Sequence, residues 1–376
     1  MKHPDVIVVG AGIVGAACAA ELQALGRDVL LVDANHPGGG VTAAGMGHLV
    51  ALDETDDELD LCLLSLARWD EYLSTRAGLA EHVRCGTLWV AEDDAQMAQA
   101  RVRAGRLARR GWDAAELSGA QLARVEPALR AGLAGGVRVA RDGVVYPPAV
   151  ARSLAETLVA LGGRTRFGAA VARVDDVGVT LADGERIDAG DVVVATGAAV
   201  TRLLPDMPIF PRKGHLAITA RYPRRLSHQV VSMDYGQTEG QTEAGSDAVA
   251  VAANVQPRIT GQWLIGSCRQ DGIRHADVDP RVLARVLRSA IALLPCLADM
   301  KIIRSWTGMR PATYDGRPVI GRHPTLERVW VAAGHEGLGV TTAFGTAQLL
   351  ADLMLDRPAS IAAAPYSPSR FVHVPA

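Results

Sequence analysis

Gly10, Gly12 and Gly15 stand at the spacing G-x-G-x-x-G, directly after the β-branched run Asp5-Val-Ile-Val-Val9. Glycines so placed let the chain turn tightly, bring bare backbone against a pyrophosphate, and pack a helix closely on a strand. Ala11, Ile13 and Val14 fill the intervening positions of this turn. The run from Ile13 to Leu25 is helical in pattern, so its first N–H groups and positive end face the same phosphates. Asp33, followed by Ala34, closes the next apolar run, Asp28-Val-Leu-Leu-Val32, and can accept hydrogen bonds from a ribose diol. Strand, glycines, helix, strand and acid agree on a dinucleotide site. A second glycine-rich loop, Gly38 to Gly47, follows at once and contains Thr42-Ala43-Ala44-Gly45-Met46-Gly47. It would bring more backbone N–H groups to a second stretch of pyrophosphate, for which a simple nicotinamide enzyme has no obvious use. The five cysteines are scattered and form no C-x-x-C pair, so neither a disulfide framework nor a metal site is expected.

The elements that must position these residues are those of a mixed α/β (α+β) chain. Short, wholly apolar runs such as Val6 to Val9 and Asp191-Val-Val-Val-Ala195 read as buried parallel strands. The latter ends in Thr196-Gly197. A helix is expected over Pro148 to Leu161, a hairpin over Val171 to Ile187 with its turn at Asp183-Gly184, and helices over Asp93 to Arg110 and Ser118 to Val125. Lys213 to Thr219 and Gln262 to Gly266 read as antiparallel strands. On the family resemblance given below, the cofactor motifs fall in three blocks, which implies a dinucleotide domain from residues 1–85, 144–210 and 304–376. Residues 86–143 and 211–303 then build a second, antiparallel-sheet domain for substrate. Between its strands, Gln237 to Asp247 is polar and almost free of bulky residues, which reads as a solvated loop or, less often for such composition, a lid.

With these pieces the chain resembles the D-amino-acid oxidase superfamily of flavoproteins, which includes glycine oxidase, sarcosine oxidase and D-amino-acid dehydrogenases. The resemblance implies a Rossmann-like FAD-binding domain, noncovalent FAD on the first fingerprint, and adenosine ribose on Asp33. It carries the loop through Thr42 to Gly47 along pyrophosphate and flavin, and it places Val171, Ala195, Thr196 and Gly197 in the same domain. Gly308-Met-Arg310-Pro resembles the family's Gly-x-Arg-Pro segment, whose arginine grips a substrate carboxylate. Gly334-His335-Glu336-Gly337-Leu338-Gly339-Val340-Thr341 resembles the final glycine turn over the isoalloxazine. Arg310 is thus the foremost catalytic-site residue, with a salt bridge as the bland alternative. His335 is equally a helix cap, and His48 equally a structural histidine. Tyr235 and Met233, read as lying in the strand before the polar stretch, are pocket wall or, more commonly, core. Cys268 and Arg269 are given no chemistry. The implied reaction is oxidation of an amine carbon beside a carboxylate, of the D-hydroxyproline, D-proline or D-amino-acid type. Thr42 to Met46 is worded like glycine oxidase, while the longer loop to Val50 and the Gly-Ser-Cys-Arg segment look closer to bacterial D-hydroxyproline, D-proline and opine dehydrogenase subunits. A glycine- or sarcosine-type oxidase making hydrogen peroxide, and a non-catalytic flavoprotein subunit of a hetero-oligomer, are the alternatives. The electron acceptor is left open among dioxygen, a quinone and a partner subunit.

Composition narrows the rest. The 376 residues carry 39 basic and 41 acidic side chains, a net charge of −2, so a nucleic-acid partner is not expected. Hydrophobic residues make up 49%, enough for a sizeable core, which excludes a disordered chain. Val6 to Ala20 imitates the apolar core of a signal peptide, but Asp5 and the patterned glycines mark it as folded protein. Scattered cysteines, odd in number, and the lack of a long apolar run point to the cytoplasm.

Overall fold

The computed structural model describes residues 3–51, 55–223, 226–235 and 249–371. The strand Val6–Val9 is buried on both faces and pairs in parallel with Val29–Asp33 on one side and Asp191–Val194 on the other. Arg164–Phe167 and Val329–Ala333 extend this sheet in parallel, and Val319–Arg322 adds an antiparallel edge. Burial on both faces is why the central strands are apolar throughout instead of alternating. The helix Ile13–Ala24 lies on one face. Ala16, Ala17, Cys18, Ala19 and Ala20 are all buried, and their small size lets the helices Pro147–Ala160 and Ala343–Met354 pack directly against them. The leader-like stretch is therefore the middle of the main core. The opposite face is covered by a three-stranded meander, Val171–Asp175, Gly178–Leu181 and Arg186–Asp188. The expected hairpin is thus corrected to three strands, because Asp175 to Gly178 supplies a first turn before the one at Asp183-Gly184.

The second sheet has eight strands, in the order Ile302–Thr313, Ile209–Thr219, Trp263–Arg269, Ala250–Pro257, Gln229–Ser232, Thr87–Ala91, Gly135–Val139 and Ala115–Ser118. Neighbours are antiparallel except Gln229–Ser232 with Thr87–Ala91, which run parallel. Those two strands come from separate segments of the chain, so no hairpin dictates their direction. The helix Pro280–Leu293 packs Val282, Val286, Ala290 and Leu293 against this sheet. The expected helices appear as Asp94–Arg109, capped by Asp93, and Gly119–Val125, where Ser118 and Gln121 form a reciprocal capping box. Met233 and Tyr235 are not in a strand: Gln229–Ser232 ends before them, and Met233–Tyr235 is one 3-10 turn. The boundary read at residue 304 falls inside Ile302–Thr313, which pairs along its length with Ile209–Thr219 and sets Arg212 opposite Arg310. The chain then crosses to the first sheet as Val319–Arg322 and Val329–Ala333, and that crossing brings the two sheets together over one cavity. Among the described residues no helix is long and apolar enough to cross a membrane.

Candidate active site

Gly10 ends the first strand at φ +106°, and a Cβ there would stand 2.6 Å from the Ala195 carbonyl oxygen. Only glycine suits both the turn and that approach. The following helix has no cap from Gly12 and no acid in its first turn, so its positive end is met only by groups from other segments. The Ile13 N–H donates to Thr42 Oγ1 at 3.1 Å, tying the second glycine loop to that helix end. Asp33 accepts from the Ala11 N–H and the Asn35 N–H, both at 2.7 Å, and so draws two loops together.

These groups border a cavity of about 450 Å³. Of the residues singled out from the sequence, it is lined by Gly10, Gly12, Ile13, Val14, Asp33, Ala34, Thr42, Ala44, Gly45, Met46, His48, Val171, Ala195, Thr196, Gly197, Arg310, His335, Glu336, Gly337, Gly339 and Val340. The others stand behind this lining. Ala11 is fully buried, Gly15 packs on the Gly10 carbonyl, and Ala43 faces solvent. Gly47 lies against the Val145 carbonyl, Gly334 against Thr313, and Thr341 donates its hydroxyl to the His48 carbonyl at 2.9 Å. Leu338 lines a smaller adjoining cavity of about 70 Å³ that shares His48, His335, Glu336 and Gly337 with the first. Met233 is buried in the main core and lines neither, which is the commoner of the two roles read for it. The Tyr235 side chain and the stretch from Gln237 to Asp247 lie outside the described residues.

Arg310 is 13% exposed and enters the cavity from the second sheet. Its Nη2 donates to Ser267 Oγ at 2.7 Å and its Nη1 to the Cys268 carbonyl at 3.0 Å. Glu336 Oε1 lies 3.5 Å from the same Nη1, too far for a closed ion pair. Gly214 makes the room: a Cβ there would be 2.5 Å from Nη2. Burial acts to raise the Glu336 pKa, but Arg310, Arg269 and Arg212 outweigh it and hold the carboxyl below its ordinary value.

His48 Nδ1 is 2.5 Å from Gln229 Oε1, and Gln229 is oriented by donating to the Gly143 carbonyl at 2.9 Å and Thr87 Oγ1 at 3.3 Å. Gln256 Nε2 also lies 3.2 Å from Nδ1, and Asn254 Nδ2 lies 3.2 Å from Nε2, so three amides surround the ring. Burial pushes the His48 pKa down to about 4, against the Gln229 hydrogen bond and with help from Arg310 and Arg258. It is a neutral wall of the site. His335 is also buried, which lowers its pKa to about 3. Its ring makes no cap bond and instead meets Thr346 Oγ1 at 2.9 Å, so the capping role is not the one it plays.

The structure thus adds Ser267, Gly214, Gln229 and Asn254 to the residues read from sequence. Their signals were a glycine inside a strand pattern and amides inside apolar runs. The cavity fits a flavin dinucleotide on its own terms. The helix end, with no acid in its first turn, and the bare backbone at Gly12 suit a pyrophosphate. Asp33 offers a carboxylate beside it, and the buried Thr196 hydroxyl has no partner among the described residues. Among those residues no cysteine lines either cavity and no group of His, Cys, Asp or Glu is arranged to hold a metal.

Comparison with known proteins agrees with this geometry. A glycine oxidase of Pseudomonas aeruginosa is 29% identical over 388 residues, covering 97% of this chain and 98% of that one. A D-amino acid dehydrogenase 2 of Ralstonia nicotianae is 30% identical over 442 residues, covering 97% of this chain and all of that one. The crystal structure of glycine oxidase from Geobacillus kaustophilus superposes with a TM-score of 0.87 at 26% identity over the whole of both chains. The family model described as FAD dependent oxidoreductase matches residues 5–353. On that match, the chain belongs to the D-amino-acid oxidase (DAO) family of FAD-dependent oxidoreductases.

Proposed function

We propose that this protein oxidises an α-amino acid at its Cα–N bond to the imine, with substrates of the D-hydroxyproline, D-proline or wider D-amino-acid type. One observation carries the reading: a guanidinium held in the cavity with donors left over. Ser267, the Cys268 carbonyl and Glu336 account for three of the five N–H groups of Arg310, and the remaining two have no partner among the described residues. Two donors on a rigid fork match a carboxylate and fix the Cα–H beside it. The relatives named glycine oxidase and D-amino acid dehydrogenase support an amino-acid substrate over another carboxylate.

When bound, FAD supplies the acceptor for the hydride that leaves Cα. The chain's own part is binding and orientation. Gly10 to Val14, Asp33, Thr42 and Thr196 hold the dinucleotide, and Arg310 with its Ser267 brace holds the substrate carboxylate. Neutral His48 and His335 exclude water without adding charge. Positioning of this kind supplies most of the rate without an acid–base pair. The five cysteines are scattered and form no C-x-x-C pair, which supports a reducing, cytoplasmic setting. A glycine-oxidase-type reaction is the second reading, favoured by the two glycine oxidases among the three similar proteins above.

The test is anaerobic bleaching of the yellow holoenzyme by a panel of D- and L-amino acids, proline derivatives, glycine and sarcosine. Bleaching by carboxylate-bearing amines is expected. Re-oxidation in air with hydrogen peroxide would assign an oxidase; re-oxidation only by a quinone or a partner subunit, a dehydrogenase. If no amine bleaches the enzyme, the catalytic reading fails and the chain is a non-catalytic flavoprotein subunit.

A further inference from the structure

Glu336 is an unusual neighbour for a carboxylate-binding arginine. It sits in the turn between the last strand of the first sheet and helix Ala343–Met354, at φ +45°, a left-handed conformation that a glutamate seldom adopts. Its Oε2 accepts from the Gly337 N–H at 2.6 Å, which leaves Oε1 turned to the arginines. Oε1 stands 3.5 Å from Arg310 Nη1 and 3.5 Å from Arg269 Nε. A purely structural bridge in so buried a place would close to roughly 2.8 Å, as charge-assisted pairs do. This one stays open, and Glu336 lines both the larger and the smaller cavity.

A second carboxylate brought to Arg310 meets Glu336 as a like charge unless it carries a compensating cation. An α-amino acid carries one, a single carbon away. Resting on the amino-acid reading above, we infer that Glu336 holds the substrate's amino group while Arg310 holds its carboxylate. The pair then reads a zwitterion and selects against carboxylates that lack the amine. The contact serves both protonation states: an ammonium donates to Oε1 on arrival, and the neutral amine that loses hydride donates there too. The charged form needed for this is the one the arginines maintain, since they hold the Glu336 carboxyl ionised.

The experiment compares D-proline with tetrahydrofuran-2-carboxylate, its ring-oxygen counterpart without an N–H, on the FAD-loaded enzyme. Dissociation constants are read from perturbation of the flavin spectrum, with KM and kcat alongside for D-proline. In Glu336→Gln, D-proline should bind ~10-fold more weakly, the scale of a lost charge-assisted hydrogen bond. Tetrahydrofuran-2-carboxylate should bind several-fold more tightly, because a like charge has gone. Glu336→Asp, which keeps the charge, should keep the wild-type preference for the amine. Weakening of both ligands together would show that Glu336 merely braces Arg310, and no change in either would remove it from the site; both overturn the inference. Wild type that binds neither ligand would instead sink the amino-acid reading, and the role of Glu336 with it. Flavin content measured on each variant separates these outcomes from misfolding.

Discussion

At the scale of single residues, the site depends on how Arg310 is held. Ser267 and the Cys268 carbonyl fix the guanidinium, and Gly214 leaves it room. Arg310→Lys should cost ~1.5–3 kcal/mol in kcat/KM, or roughly 10- to 150-fold, because an ammonium cannot reproduce the two-pronged contact. Anaerobic reduction kinetics check this. The loss should be confined to carboxylate-bearing amines, with a nearly normal flavin spectrum, and equal loss on carboxylate-free amines would reassign Arg310 to flavin positioning. Gly214→Ala sets a methyl 2.5 Å from Nη2, at the far end of a flexible side chain. The fork should therefore move while the sheet stays, lowering kcat/KM by ~10- to 100-fold, the cost of misplacing a positioning group by about an ångström. An unchanged kcat/KM in the Ala variant would show that the fork has slack.

At the scale of elements, the decisive contacts are those between loops. Asp33 accepts from Ala11 and Asn35, and Thr42 accepts from Ile13, so the ends of two strands and one helix are linked through side chains. Asp33→Ala should weaken FAD binding by ~1.5–3 kcal/mol, as expected for lost hydrogen bonds to a charged group. Because two backbone N–H groups also lose their acceptor, the apoprotein should melt at a lower temperature as well. Calorimetry on apo and holo forms separates the two effects, and a variant that keeps full FAD affinity would place the ribose elsewhere. Gly15 marks the tightest crossing: a Cβ there would be 1.9 Å from the Gly10 carbonyl oxygen. Gly15→Ala must push the helix off the first turn, so we expect ~1–3 kcal/mol of overpacking destabilisation together with loss of FAD retention. Urea unfolding of the apoprotein measures the first and flavin content the second.

At the scale of the whole molecule, buried titratable groups set the pH range of stability. Burial lowers His48 and His215 to about 4 and His335 to about 3, below an unfolded value near 6.5. Their contribution is fully present above pH 6.5 and is lost as pH falls toward 4, because the unfolded chain binds protons that the native chain refuses. Burial raises Asp142 the other way, to about 7, so its contribution is present below pH 4 and is lost as pH rises through 7. Thermal melts should therefore show maximal stability near pH 6.5. Asp142→Asn should remove the decline between about pH 6.5 and 7 and steepen the rise below it; an unaltered profile would rule out a neutral Asp142 in the native state. The dinucleotide half of this molecule was legible in the chain itself. Gly10, Gly12 and Gly15 act through backbone conformation and Asp33 through a carboxylate at a strand end, all within one βαβ unit, so local spacing specifies them. Arg310 was legible only by resemblance, since its use depends on Ser267, Gly214 and Glu336, none within 20 residues of it. His48 was ambiguous for the same reason: its amide partners Gln229, Gln256 and Asn254 are brought to it only by the pairing of the second sheet. Met233 was misplaced because strand pattern continues past Ser232, and only the sheet's hydrogen bonds show where the strand stops. What depends on spacing along the chain was determined by the sequence alone; what depends on strands from distant segments meeting was decided by the tertiary structure, because side-chain contacts across a sheet leave no fixed spacing to read.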